Sequence, residues 1–94
     1  MPTKAPRVSE EDAELLALQA LAFLAQEPAR LAYFLRLTGL NPQELQRIAG
    51  ERSLMSGVLE HLLADQSLLL VFAAETRVAP ESVALAHAKL ASNH

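Results

Sequence analysis

Histidine is the side chain best suited to metal ligation or proton transfer near neutral pH, and this chain has three, His61, His87 and His94. They fall in no HxxxH or HExxH spacing, and catalytic zinc needs three protein ligands and a base. All three therefore read as partly exposed surface residues. Nucleophilic catalysis needs a hydroxyl or thiol beside a base and an orienting acid. There is no cysteine, and Ser53, Ser56, Ser67 and Ser82 fall near expected helix starts, where capping accounts for them. Ser56 and Glu60 share a helix face, but Ser56 and His61, five residues apart, point to different sides. The acids Glu10, Glu11, Asp12 and Glu14 suit a divalent cation, and suit the positive end of a helix better. The glycines, at 39, 50 and 57, are isolated and form no phosphate-binding loop. No catalytic, metal or cofactor residues are expected, and the chain is read as a non-enzyme.

One constellation points to a specific partner. Residues 28–52 hold Arg30, Arg36, Arg47 and Arg52 against Glu44 and Glu51, whereas residues 9–27 hold five acids and no base. Within the basic segment, a helix ending at Gly39 is followed by one with Leu45 and Ile48 inward. That is the apolar and glycine spacing of a helix-turn-helix. Gln43, Gln46 and Arg47 would face outward to read a groove, with Arg30, Arg36 and Arg52 on phosphates. Against this, Leu35 stands where a small residue permits close helix crossing, Pro42 lies near the reading end, and the net charge is −3. An ordinary αα-corner has the same signature. Nucleic acid is the alternative reading and not the favoured one.

The elements that carry these residues are sharply punctuated. Ser9 followed by Asp12 resembles a capping box and starts a helix that runs to about Gln26. Its leucines spread around most of the wheel, leaving a polar slice at Asp12, Gln19 and Gln26. Such a helix belongs at the centre of a bundle or in a subunit interface. Pro28 opens helix 2, and Gly39 can close it in the left-handed conformation. Asn41-Pro42-Gln43-Glu44 supplies an N-cap, a first-turn proline and a glutamate that reaches back, while Leu40 can staple onto Leu45. Gly50 ends helix 3. Helix 4, about 53–64, is amphipathic through Leu54, Met55, Val58, Leu59, Leu62 and Leu63. Asp65 caps helix 5, whose Leu68-Leu69-Leu70-Val71-Phe72 run is too apolar for an exposed element. Periodicity leaves helix or buried strand open for that run, and the flanking Ala73 and Ala74 with the Asp65 cap decide for helix. Pro80 opens helix 6, which frays after about Leu90.

Thr38 to Leu45 recurs as Thr76 to Val83, 38 residues later, and the same offset pairs Leu24 with Leu62, Leu31 with Leu69 and Phe34 with Phe72. Two similar three-helix units follow from that reading, although any two leucine-rich triplets offer some of the same matches.

The run Leu18 to Ala25, then Phe34-Leu35, Thr38-Gly39-Leu40, Gly57-Val58-Leu59 and Leu62 to Asp65 resembles a family of short, all-helical bacterial proteins, a domain of unknown function. The likeness spans roughly residues 11–90. It implies the same helical fold and brings no catalytic or ligand residues with it. The family usually carries glycine where Arg77 stands, so this chain departs from the pattern at the cap between helices 5 and 6.

Length and composition frame the whole. Ninety-four residues suit one domain, and a 51% hydrophobic content with 20% charged residues leaves a polar coat that is thin. The expected fold is an all-α, compact bundle of about six short helices over residues 9–91, with a disordered arm at 1–8 and a frayed end at 92–94. The longest apolar-rich stretch, Leu15 to Ala25, is about half a bilayer span. Four acids follow Arg7 before any apolar run, which argues against export and for the cytoplasm. The surplus of apolar helix surface favours a protein-interaction module whose partner is another protein or a second copy in a homodimer.

Overall fold

The computed structural model describes residues 8–92, which form six helices and, among those residues, no strand. They are α1 (Glu10–Ala25), α2 (Pro28–Thr38), α3 (Pro42–Ile48), α4 (Arg52–Leu63), α5 (Gln66–Thr76) and α6 (Pro80–Ala91). Residues 1–7 of the expected arm at 1–8, and 93–94 of the expected frayed end at 92–94, lie outside the described part. Val8 packs against the core, and the Ser92 N–H donates to the Ala88 carbonyl.

Three of the six helices, α1, α3 and α5, start where an N-cap side chain accepts a first-turn N–H group. Ser9 and Asp12 close a reciprocal capping box on α1, as do Asn41 and Glu44 on α3. The Asp65 carboxylate accepts the Leu68 N–H at the start of α5. Leu40 and Leu45, on either side of the Asn41 cap, both enter the core. Some boundaries differ from the sequence reading. The serines expected to cap do not: Glu51 and Ala79 occupy the N-cap positions of α4 and α6, and Ser53, Ser67 and Ser82 lie inside the first turns. Helix α3 closes at Ile48 before Gly50 is reached, with Ala49 right-handed and the Glu51 N–H donating to the Ile48 carbonyl.

The core is a layer of three helices. Helix α6 lies against both α1 and α4, which also pack on each other, and this trio makes the most extensive contacts in the molecule. Helix α1 is thus central, as its wheel implies. Ala13, Ala17 and Ala20 allow close approach to it, and Leu16, Leu24, Leu59, Leu62, Val83 and Leu90 fill the space between. Helix α2 packs on α1 and α5 on α4, while α3 sits at the edge with only Leu45 buried. The result is a slab of 49 × 31 × 17 Å. A slab has more surface for its volume than a sphere, and this composition cannot coat it with polar groups alone.

The 38-residue offset is obeyed at four of the six pairs of helix boundaries. Helices α1 and α4 end at 25 and 63, α2 and α5 span 28–38 and 66–76, and α3 and α6 start at Pro42 and Pro80. The caps match as well. Gly39 and Arg77 are both left-handed, at φ 76° and 58°, and the Thr38 and Thr76 hydroxyls donate to the Phe34 and Phe72 carbonyls at 2.9 and 2.7 Å. The two units interlock: Phe23 of the first meets Phe72 of the second edge to face at 5.3 Å, and His61 of the second meets Phe34 of the first at 5.1 Å. The likeness ends at the third helix, because α6 is 12 residues long and covers both α1 and α4, whereas α3 has seven.

Candidate functional site

Three of the four arginines of the helix-turn-helix reading, Arg30, Arg36 and Arg52, have other contacts. Arg52 opens α4 and reaches the far end of α6, where its Nε donates to the Leu90 carbonyl at 2.9 Å and its Nη2 to those of Lys89 and Ser92. It also pairs with Glu10 at the start of α1. A guanidinium there satisfies carbonyls that a helix C-terminus leaves unpaired and meets its negative end. Arg30 lies over the Phe23 ring, 4.4 Å from the centroid, in cation–π contact. Glu10 and Phe23 are about 20 Å apart along α1 at the α-helical rise, so Arg52 and Arg30 belong to different ends of the molecule. Arg36 lies over Tyr33, 5.6 Å from its centroid. Gln43, Gln46 and Arg47 are exposed on α3, a helix of two turns. The six residues are not gathered onto one face, and nothing in the structure favours nucleic-acid binding.

Glu10, Glu11 and Asp12 form the first turn of α1, the Asp12 carboxylate taking the Ser9 N–H. Among the described residues, no group of three His, Asp or Glu side chains is arranged to hold a metal ion. Ser53 and Ser56 line a hollow with Arg52, Leu90 and Ala91, where the arginine is already bonded to the α6 carbonyls and to Glu10.

A different feature stands out. A groove of about 330 Å³ runs between α2 and the α4–α5 corner, lined by Tyr33 and Leu37 on one wall and by His61, Ala64, Asp65, Gln66 and Ser67 on the other. Its shape follows from the corner, because α5 leaves α4 at 108° and α2 crosses beside the bend. His61 is the titratable ring of that second wall. Its ring meets Phe34 edge on and Tyr33 at 6.0 Å, and it is half-buried rather than a plain surface residue. Burial pushes the imidazole pKa below its ordinary value, with the Asp65 carboxylate pulling weakly the other way.

Apolar side chains crowd the rim. Leu37 is 60% exposed and Tyr33 49%. On α5, one turn on from Ser67, Leu70 and Val71 are 49% and 40% exposed. This corrects the expectation for the 68–72 run: Phe72 is buried and Leu68 and Leu69 are half-buried, but Leu70 and Val71 face outward because nothing covers that side of α5. Sequence reasoning missed the groove. Its one available signal was the 38-residue register, which places His61 opposite Phe23 and so marks a core-facing position filled by a polar ring.

A family model described as "Protein of unknown function (DUF3572)" matches residues 10–93. That agrees with the resemblance drawn from the helical motifs. No curated protein and no solved structure matches the chain.

Proposed function

We propose that this chain, which belongs to the DUF3572 family, is a helical protein-interaction module that binds its partner through the groove between α2 and the α4–α5 corner. The observation that carries the reading is the set of exposed large apolar side chains at the groove, Tyr33 and Leu37 in its lining and Leu70 and Val71 one turn beyond Ser67 on α5. Keeping such surface in water is unfavourable by about 25 cal/mol per Å², and large apolar side chains left exposed together beside a groove mark a protein contact. The Tyr33 and His61 rings in the lining and a helix on each side suit a helical partner that inserts apolar anchors at one-turn spacing. No single helix in the described residues is long and apolar enough to cross a membrane.

The reading is tested by capture. The immobilised chain is exposed to a lysate of the cells that express it, alongside Leu37→Asp and Leu70→Asp variants whose circular dichroism matches the parent. Capture of a discrete protein by the parent and its loss with both variants is expected. Equal capture by parent and variants, or none by any of them, would overturn the reading.

A further inference from the structure

Resting on the interaction-module reading, we propose that the groove is occupied by a second copy of this chain, the two related by a two-fold axis so that α2 of each seats against the α4–α5 wall of the other. Charge selects the second copy. Beside the α2 wall lies the exposed Arg36, held over the ring of Tyr33, which lines it. The opposite wall carries Asp65 and, one turn before Ala64 on the same side of α4, the exposed Glu60. A partner of either sign is attracted by one wall and repelled by the other. A second copy brings both signs in the required order. In a two-fold contact, whatever α2 of the first copy meets on the second, α2 of the second meets on the first. Arg36 of each copy then faces Glu60 and Asp65 of the other, and both ion pairs form at once. The apolar parts obey the same rule, since each copy offers a projecting Leu37 and a slot to receive it. Leu70 and Val71, continuing the α5 wall beyond Ser67, extend the contact.

Sedimentation equilibrium of the full chain tests the proposal, with circular dichroism as the folding control; Leu37, Arg36 and Glu60 are all exposed, so their variants keep the fold. The parent is expected to dimerise and Leu37→Glu to be monomeric throughout. Arg36→Glu and Glu60→Arg are each expected to weaken the dimer by about tenfold or more, since each sets like charges face to face twice. An equimolar mixture of the two is expected to form a mixed dimer tighter than either variant alone. The Arg36→Glu carboxylate of one copy then meets the Glu60→Arg guanidinium of the other, while Arg36 meets Glu60 as in the parent. A pair formed inside one chain gives no such rescue. A parent that stays monomeric at the highest concentration reached, a dimer indifferent to Leu37→Glu, or a mixture no tighter than its components would overturn the second-copy proposal. A monomeric parent that still captures another protein through Leu37 leaves the interaction-module reading standing, so the two failures are distinguishable.

Discussion

His61 shows how one side chain is read differently by pattern and by packing. On the wheel of α4 it borders the polar face, yet its ring lies edge on to buried Phe34, and its counterpart 38 residues earlier is the core residue Phe23. Burial holds its folded-state pKa below the unfolded value of about 6.5. Between those two pKa values the unfolded chain binds the extra proton. Stability from this group is therefore complete above about pH 6.5 and is lost as the pH falls towards the folded pKa. Replacing His61 by Phe should flatten that part of the profile and restore the ring pairing seen between Phe23 and Phe72. Urea denaturation of both proteins at pH 7.5 and 5.5 checks it: the variant should lose less stability on acidification than the parent, and parallel losses would refute the account.

At the scale of elements, the two left-handed caps make a paired experiment. Gly39 adopts φ 76° without steric cost, whereas Arg77 is held at φ 58° because its N–H and that of Val78 both donate to the Ala73 carbonyl and so close α5. A non-glycine residue in this conformation costs about 1–2 kcal/mol, part of which a glycine gives back through the greater freedom of the unfolded chain. Arg77→Gly should raise stability by about 0.5–1 kcal/mol on that balance, and Gly39→Ala should lower it by a similar amount. Thermal melts of both variants read the two signs. A second element-scale prediction concerns Arg52, which ties the end of α6 to the starts of α4 and α1. Its side chain and that of Glu10 are substantially exposed, so the ion pair itself contributes little. The charged hydrogen bonds to three carbonyls matter more, and Arg52→Ala should cost about 1–2 kcal/mol. Hydrogen exchange should quicken first in the last turn of α6.

At the scale of the molecule, the three-helix units are similar in sequence but not separable in folding. The buried face of α1 is covered by α4 and α6, both from the second half of the chain. A fragment of residues 8–50 would leave Leu16, Ala20 and Leu24 in water, and should be largely unfolded by circular dichroism. A helical fragment with a cooperative melt would show instead that the first unit folds alone. The full chain should melt in one transition, since Phe23–Phe72 and Phe34–His61 cross between the units in both directions.

Local chemistry was legible in the amino-acid order. Caps at Ser9, Asn41 and Asp65, prolines at 28, 42 and 80, the left-handed Gly39 and the 38-residue recurrence fix six helices and nearly all their ends, because those signals act within a turn or two of backbone. Packing decided the rest. Which side of an almost wholly apolar helix faces water depends on its neighbours, so periodicity could not distinguish exposed Leu70 from buried Phe72, or exposed Leu15 from buried Leu16. Arg52 bonds to carbonyls 37 to 40 residues away, and the groove draws its walls from α2 and the α4–α5 corner. Side chains that meet only after the chain has doubled back leave no local trace, and the surface available to a partner is made entirely of such meetings.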